Sequence, residues 1–126
     1  MTTGLLQIAL RTTDLDASIA YYRDLLGLAL LGRFDPPGIA FLDADGVRLM
    51  LSPDAASGQL YFRADNLATR CGELEAAGIA FKSDPILVHR DDSGQFGEPG
   101  VEEWMRFFDD PADNLLAIVE RRPPTR

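Results

Sequence analysis

The sequence predicts an α+β fold built from two tandem copies of one unit, in which a strand and a helix precede three further strands (βαβββ). An alternating apolar run leads directly into a capped amphipathic helix near the start of the chain, and the same pattern begins again 52 residues later. Short strand-like runs separated by turn residues follow each helix. With 126 residues, of which 46% are hydrophobic and 25% charged, the chain has the size and composition of a single globular domain.

The first strand and helix occupy residues 5–27. Asp14 is the predicted N-cap of the helix, and Gly27 ends it. The apolar stripe between them has helical spacing and consists of Leu15, Ile19, Tyr22 and Leu26. In the preceding run LLQIALR, one strand face carries Leu6, Ile8 and Leu10, and the other carries Gln7, Ala9 and Arg11.

Three strands are predicted after this helix, at 28–34, 38–44 and 47–52. The dipeptide Asp45-Gly46 separates the last two. It favours a two-residue hairpin, because both central positions of a type I′ turn need a positive φ.

The second copy follows the first at a constant offset. Asn66 takes the N-cap position of Asp14, and Gly78 ends the second helix. Its apolar stripe, Leu67, Cys71 and Leu74, stands 52 residues after Leu15, Ile19 and Tyr22. We therefore predict an internal duplication, with Cys71 as a small buried residue of the second helix.

Four further strand-like runs complete the second copy, at 79–85, 85–91, 102–108 and 115–121. The acidic, glycine-rich insertion at 91–100 has the composition of a surface connection, and a lid over a pocket is the alternative. We expect one domain over 1–126, with module one at 4–52, a connector at 53–58, module two at 59–121 and a disordered tail at 122–126.

Charge and composition exclude several classes of function. Twelve basic and twenty acidic residues give a net charge of −8, which repels phosphate backbones and makes nucleic acid an unsuitable partner. The apolar runs are too short to span a membrane, and the first residues lack a signal-peptide pattern, so we expect a cytoplasmic protein. A single cysteine excludes an internal disulfide and a zinc site made mainly of thiolates.

Two segments resemble signatures of the vicinal oxygen chelate superfamily, which includes glyoxalase I, the extradiol dioxygenases and the bleomycin-resistance proteins. QIALRTTDLDASIAYYRDLLGL is similar to that family's first strand, Asp-Leu-Asp motif and helix with an aromatic-Tyr-Arg sequence. FFDDPADNLLAIVE is similar to its Asp-Pro-x-Gly-Asn turn and last strand, with Asp113 where Gly is usual.

The resemblance implies a curled mixed sheet around a concave cavity, with the helices outside. Leu6, Ile8 and Leu10 would then pack under the first helix, and the opposite face of that strand would line the cavity. It also implies a homodimer with ligand crevices where two chains meet.

Metal-dependent members of that family carry ligands, mostly His and Glu, at four strand positions. Carried over by position, these are Gln7, Met50, Gln59 and Ala117. Two amides, a thioether and a methyl group offer no anionic oxygen and no imidazole, which are the ligands that divalent cations prefer. We therefore expect no metal and no other cofactor. The alternative is a divalent metal ion with ligands from elsewhere in the chain.

The alternation of the strands gathers polar, aromatic and thioether side chains on the concave face, as in a small-molecule pocket. Ala9, Ala117 and Phe108 are expected on that face, with Met105 and Phe107 turned away. The predicted ligand-binding residues are Gln7, Arg11, Arg48, Met50, Gln59, Tyr61, Arg63, Trp104 and Arg106.

Several arginines in one basin favour a carboxylate, phosphate or enolate on the ligand. The alternative for each arginine is a place at the rim, paired with an acid such as Asp43 or Glu103. His89 is a candidate general base, because its ordinary pKa is near neutrality, and a surface position is its alternative. No catalytic residue is assigned.

These observations predict a metal-free small-molecule binding protein of this superfamily, which sequesters an aromatic or charged metabolite or antibiotic. Its expected partners are the small ligand and a second copy of the chain, with neither nucleic acid nor membrane. The alternative is an enzyme, a glyoxalase-type lyase or isomerase or a dioxygenase, with an atypical or metal-free active site. A scaffold role without a small ligand is a third reading.

Overall fold

The computed structural model describes residues 1–124 and shows the same βαβββ order in both copies. The first copy contains β1 (Gln7–Arg11), α1 (Leu15–Ala20), a π-helical turn (Tyr21–Leu25), β2 (Ala29–Phe34), β3 (Ile39–Ala44) and β4 (Val47–Ser52). The second copy contains β5 (Gln59–Arg63), α2 (Leu67–Ala76), β6 (Ile86–Asp91), β7 (Val101–Asp109) and β8 (Leu115–Arg122). The predicted α+β class with two tandem βαβββ modules is confirmed.

Each copy forms its own four-stranded mixed sheet, with the strand orders β1-β4-β3-β2 and β5-β8-β7-β6. In the first sheet β1 pairs with β4 in parallel, so that Gln7 lies beside Arg48 and Ala9 beside Met50. The other pairings of that sheet are antiparallel. In the second sheet β6 and β7 are antiparallel, with a bulge between Leu87 and His89.

Both helices begin at their predicted caps. The side chain of Asp14 accepts a hydrogen bond from the Ala17 amide at 3.1 Å, and that of Asn66 accepts one from the Thr69 amide at 3.0 Å. The predicted stripes are buried at Ile19 and Tyr22 in the first copy and at Leu67, Cys71 and Leu74 in the second. The constant offset therefore does mark a structural repeat.

The β3–β4 hairpin also has its predicted geometry. Asp45 and Gly46 have φ values of 54° and 97°, as a type I′ turn requires. The longest helix, α2, has only ten residues, and the described part of the chain contains no helix with the length and apolarity of a membrane span.

Contacts between backbone positions divide the chain into two compact units. The first unit is Met1–Gln59 together with the turn Asp109–Asn114, and the second is Leu60–Phe108 together with the chain from Leu115 onward. The turn thus comes from the second copy in sequence but packs with the first, which no repeat pattern predicts.

Hydrogen bonds of Asp110 and Asn114 explain this placement. Asp110, which is 4% exposed, accepts a 2.5 Å hydrogen bond from the Tyr22 hydroxyl and a 2.8 Å bond from the Asn114 side-chain amide. Asn114 also donates to the carbonyl oxygen of Arg11 and accepts from the Gly58 amide, both at 2.9 Å. Burial and the bond to Asp110 raise the pKa of Tyr22, which therefore stays a hydroxyl donor.

Three expectations are wrong in part. Leu6 is 67% exposed, so only Leu10 of its strand face is fully buried. Residues 79–85 form no strand, because only Phe81 bridges to Phe108. The first residue of the predicted disordered tail, Arg122, is the last residue of β8, and residues 125–126 lie outside the described residues.

The helix of the first copy contains a turn that the sequence did not predict. The amide of Leu26 donates to the carbonyl oxygen of Tyr21 at 3.1 Å, a bond across five residues. Within the first unit, the hydroxyls of Tyr21 and Tyr22 both reach the turn Asp109–Asn114, where Tyr21 donates to the carbonyl oxygen of Asp109 at 3.0 Å. Burial, with the charges of Asp110 and Asp109, raises the pKa of Tyr21 to about 12.

Candidate functional site

The predicted ligand-binding residues do not form one site. They lie at a cleft in the first unit, at a cleft in the second unit, in a polar depression and on the opposite face of β7, and Gln59 lies at none of these places. Each cleft is lined by residues of one unit.

The cleft of the first unit has a volume of about 320 Å³ and brings together Gln7 and Arg48. The Arg48 Nε donates to Gln7 Oε1 at 3.2 Å, and Gln7 Nε2 contacts Met50 Sδ at 3.8 Å. The three residues therefore share one face of the sheet, as predicted. The apolar wall was not predicted and consists of Leu31, Phe34 and Phe41 with Gly32.

The cleft of the second unit is larger, about 430 Å³, which is the size of a small-molecule site. It contains the predicted Tyr61 and Arg63 of β5. The other strands of the sheet complete the lining with residues that were not predicted to bind a ligand: Val88, Glu103, Met105, Phe107, Val119 and Arg121.

Aromatic and charged groups in the second cleft are arranged in distinct pairs. The rings of Tyr61 and Phe107 meet edge to face, with their centroids 6.3 Å apart. Arg121 Nε lies 3.2 Å from Glu103 Oε2, and this arginine also donates to the carbonyl oxygen of Phe96. Arg63 forms no ion pair with a carboxylate among residues 1–124. A single arginine is therefore left available to a ligand.

The predicted facing of β7 is wrong, because Trp104 and Arg106 do not line the cleft. Arg106 Nη1 pairs with Glu75 of α2 at 2.9 Å, and its guanidinium lies 4.3 Å from the centre of the Phe81 ring. The Trp104 indole donates to Glu102, and Arg122 stacks on its ring. Met105 and Phe107, which were expected to turn away, line the cleft instead.

The sequence of β7 could not decide its facing. Both faces carry an aromatic residue and a charged residue, so that alternation favours neither. In the structure the face with Phe108, which is fully buried, and Arg106 is the one on the helix side of the sheet, where Glu75 of α2 pairs with Arg106. That contact depends on tertiary packing.

The remaining predicted residues lie elsewhere. Arg11 lines a polar depression of about 210 Å³ with Thr13, Ser57 and Asp113. Gln59 is exposed, and Ala117 is fully buried in β8; neither lines a cleft.

His89 is absent from the lining of both clefts. Its Nε2 is buried without a hydrogen-bond partner in the described residues, and its ring meets that of Phe96 edge to face at 5.7 Å. The structure therefore gives no geometric support to a general base at this position.

The insertion that follows His89 is fastened at its base. The buried carboxylate of Asp91 accepts hydrogen bonds from the amides of Gln95 and Phe96, both at 2.8 Å. The Phe96 amide is the main cause of a lowered pKa of Asp91, to which Gln95 also contributes. The glycine-rich composition of the insertion gave no sign of these hydrogen bonds to Asp91.

The four family ligand positions do not fit a divalent cation. Gln7 and Gln59 offer only neutral amide oxygens, and Gln7 Oε1 accepts a bond from Arg48, whose positive charge would repel the ion. Met50 contributes a thioether and Ala117 a methyl group. Among the described residues, no group of three or more His, Cys, Asp or Glu side chains is placed to hold a metal ion.

Comparisons with known proteins agree with this architecture. Among curated protein sequences, none matches the chain. A lactoylglutathione lyase from Agrobacterium tumefaciens superposes with a TM-score of 0.69 and 23% identity, over 95% of each chain. A glyoxalase/bleomycin resistance protein/dioxygenase from Nocardioides gives 0.72 and 20%, over 100% of this chain and 88% of that one.

An antibiotic binding protein from a Streptomyces species gives a TM-score of 0.68 and 17% identity, over 95% of this chain and 97% of that one. At such identities the likenesses establish the fold alone. The family model described as the Glyoxalase/Bleomycin resistance protein/Dioxygenase superfamily matches residues 4–118. The chain belongs to this superfamily.

Proposed function

We propose that this protein binds a small aromatic or charged molecule, a metabolite or an antibiotic, in the cleft of its second unit and works without a metal ion. The observation that carries the proposal is the composition of that cleft. Aromatic and thioether walls surround an arginine that has no carboxylate partner among residues 1–124. Small-molecule sites typically combine an apolar lining with a few polar groups that orient the ligand.

The donor set at the family's metal positions supports the metal-free part of the proposal. Gln7 Oε1 accepts a hydrogen bond from Arg48, whose positive charge would repel a divalent ion. A site without anionic or imidazole ligands binds divalent ions weakly. The chain would then act by holding its ligand rather than by activating it.

The comparisons make this role reasonable, because an antibiotic binding protein shares the fold. A lactoylglutathione lyase shares it as well, so a glyoxalase-type lyase or isomerase, or a dioxygenase, is the competing function. We further propose a homodimer and a cytoplasmic location, as expected from the sequence.

Native mass spectrometry of the gently purified protein, combined with elemental analysis, tests the proposal. We expect a co-purified organic molecule of small mass, substoichiometric amounts of Ni, Zn, Mn and Fe, and a mass corresponding to two chains. Stoichiometric metal that is lost in a Gln7→Ala, Gln59→Ala double variant would overturn the metal-free function and favour the enzyme.

A further inference from the structure

We infer that the ligand of the second-unit cleft is an aryl monocarboxylate, whose carboxylate pairs with Arg63 and whose ring packs on Tyr61 and Phe107. The inference rests on the proposed function and specifies its ligand. Five features of the cleft and its surroundings support it.

The charges of the cleft leave one positive group in excess. Two of its lining residues are arginines and one is a glutamate. Glu103 and Arg121 neutralise each other at 3.2 Å. Arg63 thus supplies the net positive charge of a site in a chain whose overall charge is −8.

Arg121 is held in place by the protein itself. Besides its pair with Glu103, its Nη2 donates to the carbonyl oxygen of Phe96 at 3.2 Å. A ligand that recruited Arg121 would have to displace both groups, whereas Arg63 has no carboxylate to give up among the described residues. Arg63 is therefore the guanidinium suited to a ligand carboxylate, with which it can form two parallel hydrogen bonds.

Position along the sheet places Arg63 next to the apolar walls. The amide of Ala64 donates to the carbonyl oxygen of Val119 at 2.9 Å, so the end of β5 runs beside that part of β8. Tyr61 lies two residues before Arg63 on the same strand face and is 54% exposed. An aromatic ring covering Tyr61 and Phe107 would carry its carboxylate toward Arg63.

The same arrangement disfavours cationic ligands. The carboxylate of Glu103 is already neutralised by Arg121, and Arg63 would repel a second positive charge in the cleft. The acidic surface attracts cations in general, but the cleft has the opposite preference.

A single negative charge also fits better than two. A phosphate monoester carries nearly two negative charges at neutral pH. Only one lining guanidinium has no carboxylate partner among the described residues, so the second charge would have to compete with Glu103 for Arg121.

Isothermal titration calorimetry at low salt with matched probes tests the inference. The probes are 1-naphthoate, its neutral amide 1-naphthamide, the cation 1-naphthylmethylamine and the dianion 1-naphthyl phosphate. We expect naphthoate to bind about 10- to 100-fold more tightly than the amide, since a hydrogen bond to a charged group typically strengthens binding by a factor in this range. The amine and the phosphate should bind more weakly than naphthoate.

Variants locate the effect. Arg63→Gln should reduce the affinity for naphthoate to that of the amide and leave the affinity for the amide unchanged. Arg63→Lys should restore part of the loss, because it keeps the charge but not the paired hydrogen bonds. Arg23→Gln changes the net charge equally at an exposed side chain of the first unit, and it should leave naphthoate binding unchanged.

Several results would overturn the inference. They are amide, amine or phosphate binding as tight as that of naphthoate, unchanged naphthoate binding in Arg63→Gln, or no binding of any probe. None of them alters the metal content or the co-purified ligand, so the proposed function is judged separately by mass spectrometry.

Discussion

The two units of this chain share their strand order and helix caps, and they differ in the side chains at equivalent positions. Their sheets have the same strand order, and their helices begin at caps 52 residues apart. At the same helix position, however, the first copy has Tyr22 and the second has Leu74, both fully buried. Tyr22 holds a polar turn through Asp110, whereas Leu74 packs as a plain apolar residue.

The strands also differ at equivalent positions of the repeat. Ala9 and Tyr61 are equivalent in the repeat, but only Tyr61 projects an aromatic ring into a cleft. The first unit builds its apolar wall from Phe34 and Phe41 instead. Caps and apolar stripes are retained because they fix the backbone, whereas positions facing a cleft or a turn are free to diverge.

The largest effect should come from the buried turn of the first unit. Asp110→Ala removes an acceptor of four hydrogen bonds, from the amides of Ala112 and Asn114, the Asn114 side chain and the Tyr22 hydroxyl. Because buried donors would be left unsatisfied, we expect a loss of about 4 kcal/mol in the free energy of unfolding. Urea denaturation of the purified variant measures it.

Two further variants sharpen that test. Tyr22→Phe removes one of the four donors and should cost about 2 kcal/mol. Asp54→Ala, in the exposed connector of the same unit, should change stability by less than about 0.5 kcal/mol. A loss below about 1 kcal/mol in Asp110→Ala would show that the turn does not stabilise the first unit.

The insertion of the second unit gives a smaller, pH-dependent effect. The amides of Phe96 and Gln95 lower the pKa of Asp91 from its ordinary value of 3.8. A lowered pKa adds stability above that ordinary value, and this stability is lost as the pH falls through the folded-state pKa. The melting temperature of Asp91→Asn should therefore lie furthest below that of the parent protein at neutral pH, and the two should converge in acid.

The neighbouring Asp92→Asn provides the control, because the Asp92 side chain is exposed and does not accept the hydrogen bonds from Gln95 and Phe96. It should show no such convergence. A difference for Asp91→Asn that stays constant from pH 7 to pH 3 would mean that the charge of Asp91 does not anchor the insertion.

The sequence predicted those features that short-range patterns encode. Caps, apolar stripes, the Asp45-Gly46 hairpin and the duplication all depend on residues close together in the chain. The facing of β7 was predicted wrongly, because it depends on contacts between distant parts of the chain, such as that of Arg106 with Glu75, 31 residues away. Tyr22 was correctly predicted to be buried, but its hydrogen bond was not predicted, because the partner Asp110 is 88 residues distant. Of the six lining residues of the second cleft that were not predicted, Glu103, Met105 and Phe107 come from β7 and were missed because of its facing.

The smallest expected effect concerns the one departure from the family's turn sequence. Asp113 adopts a φ of 63°, which glycine accepts freely and which costs another residue about 1 kcal/mol. Asp113→Gly relieves this strain but makes the unfolded chain more flexible, so we expect a net gain of about 0.5 kcal/mol, or roughly 2 °C in melting temperature. Asp45→Gly, at a φ of 54° in the hairpin of the first unit, should gain a similar amount, since its turn also requires a positive φ.

Because Asp113 shares a polar depression with Arg11, a lower melting temperature in Asp113→Gly alone would show that attraction to this arginine outweighs the strain. The aspartate would then be retained for its charge in spite of its backbone conformation.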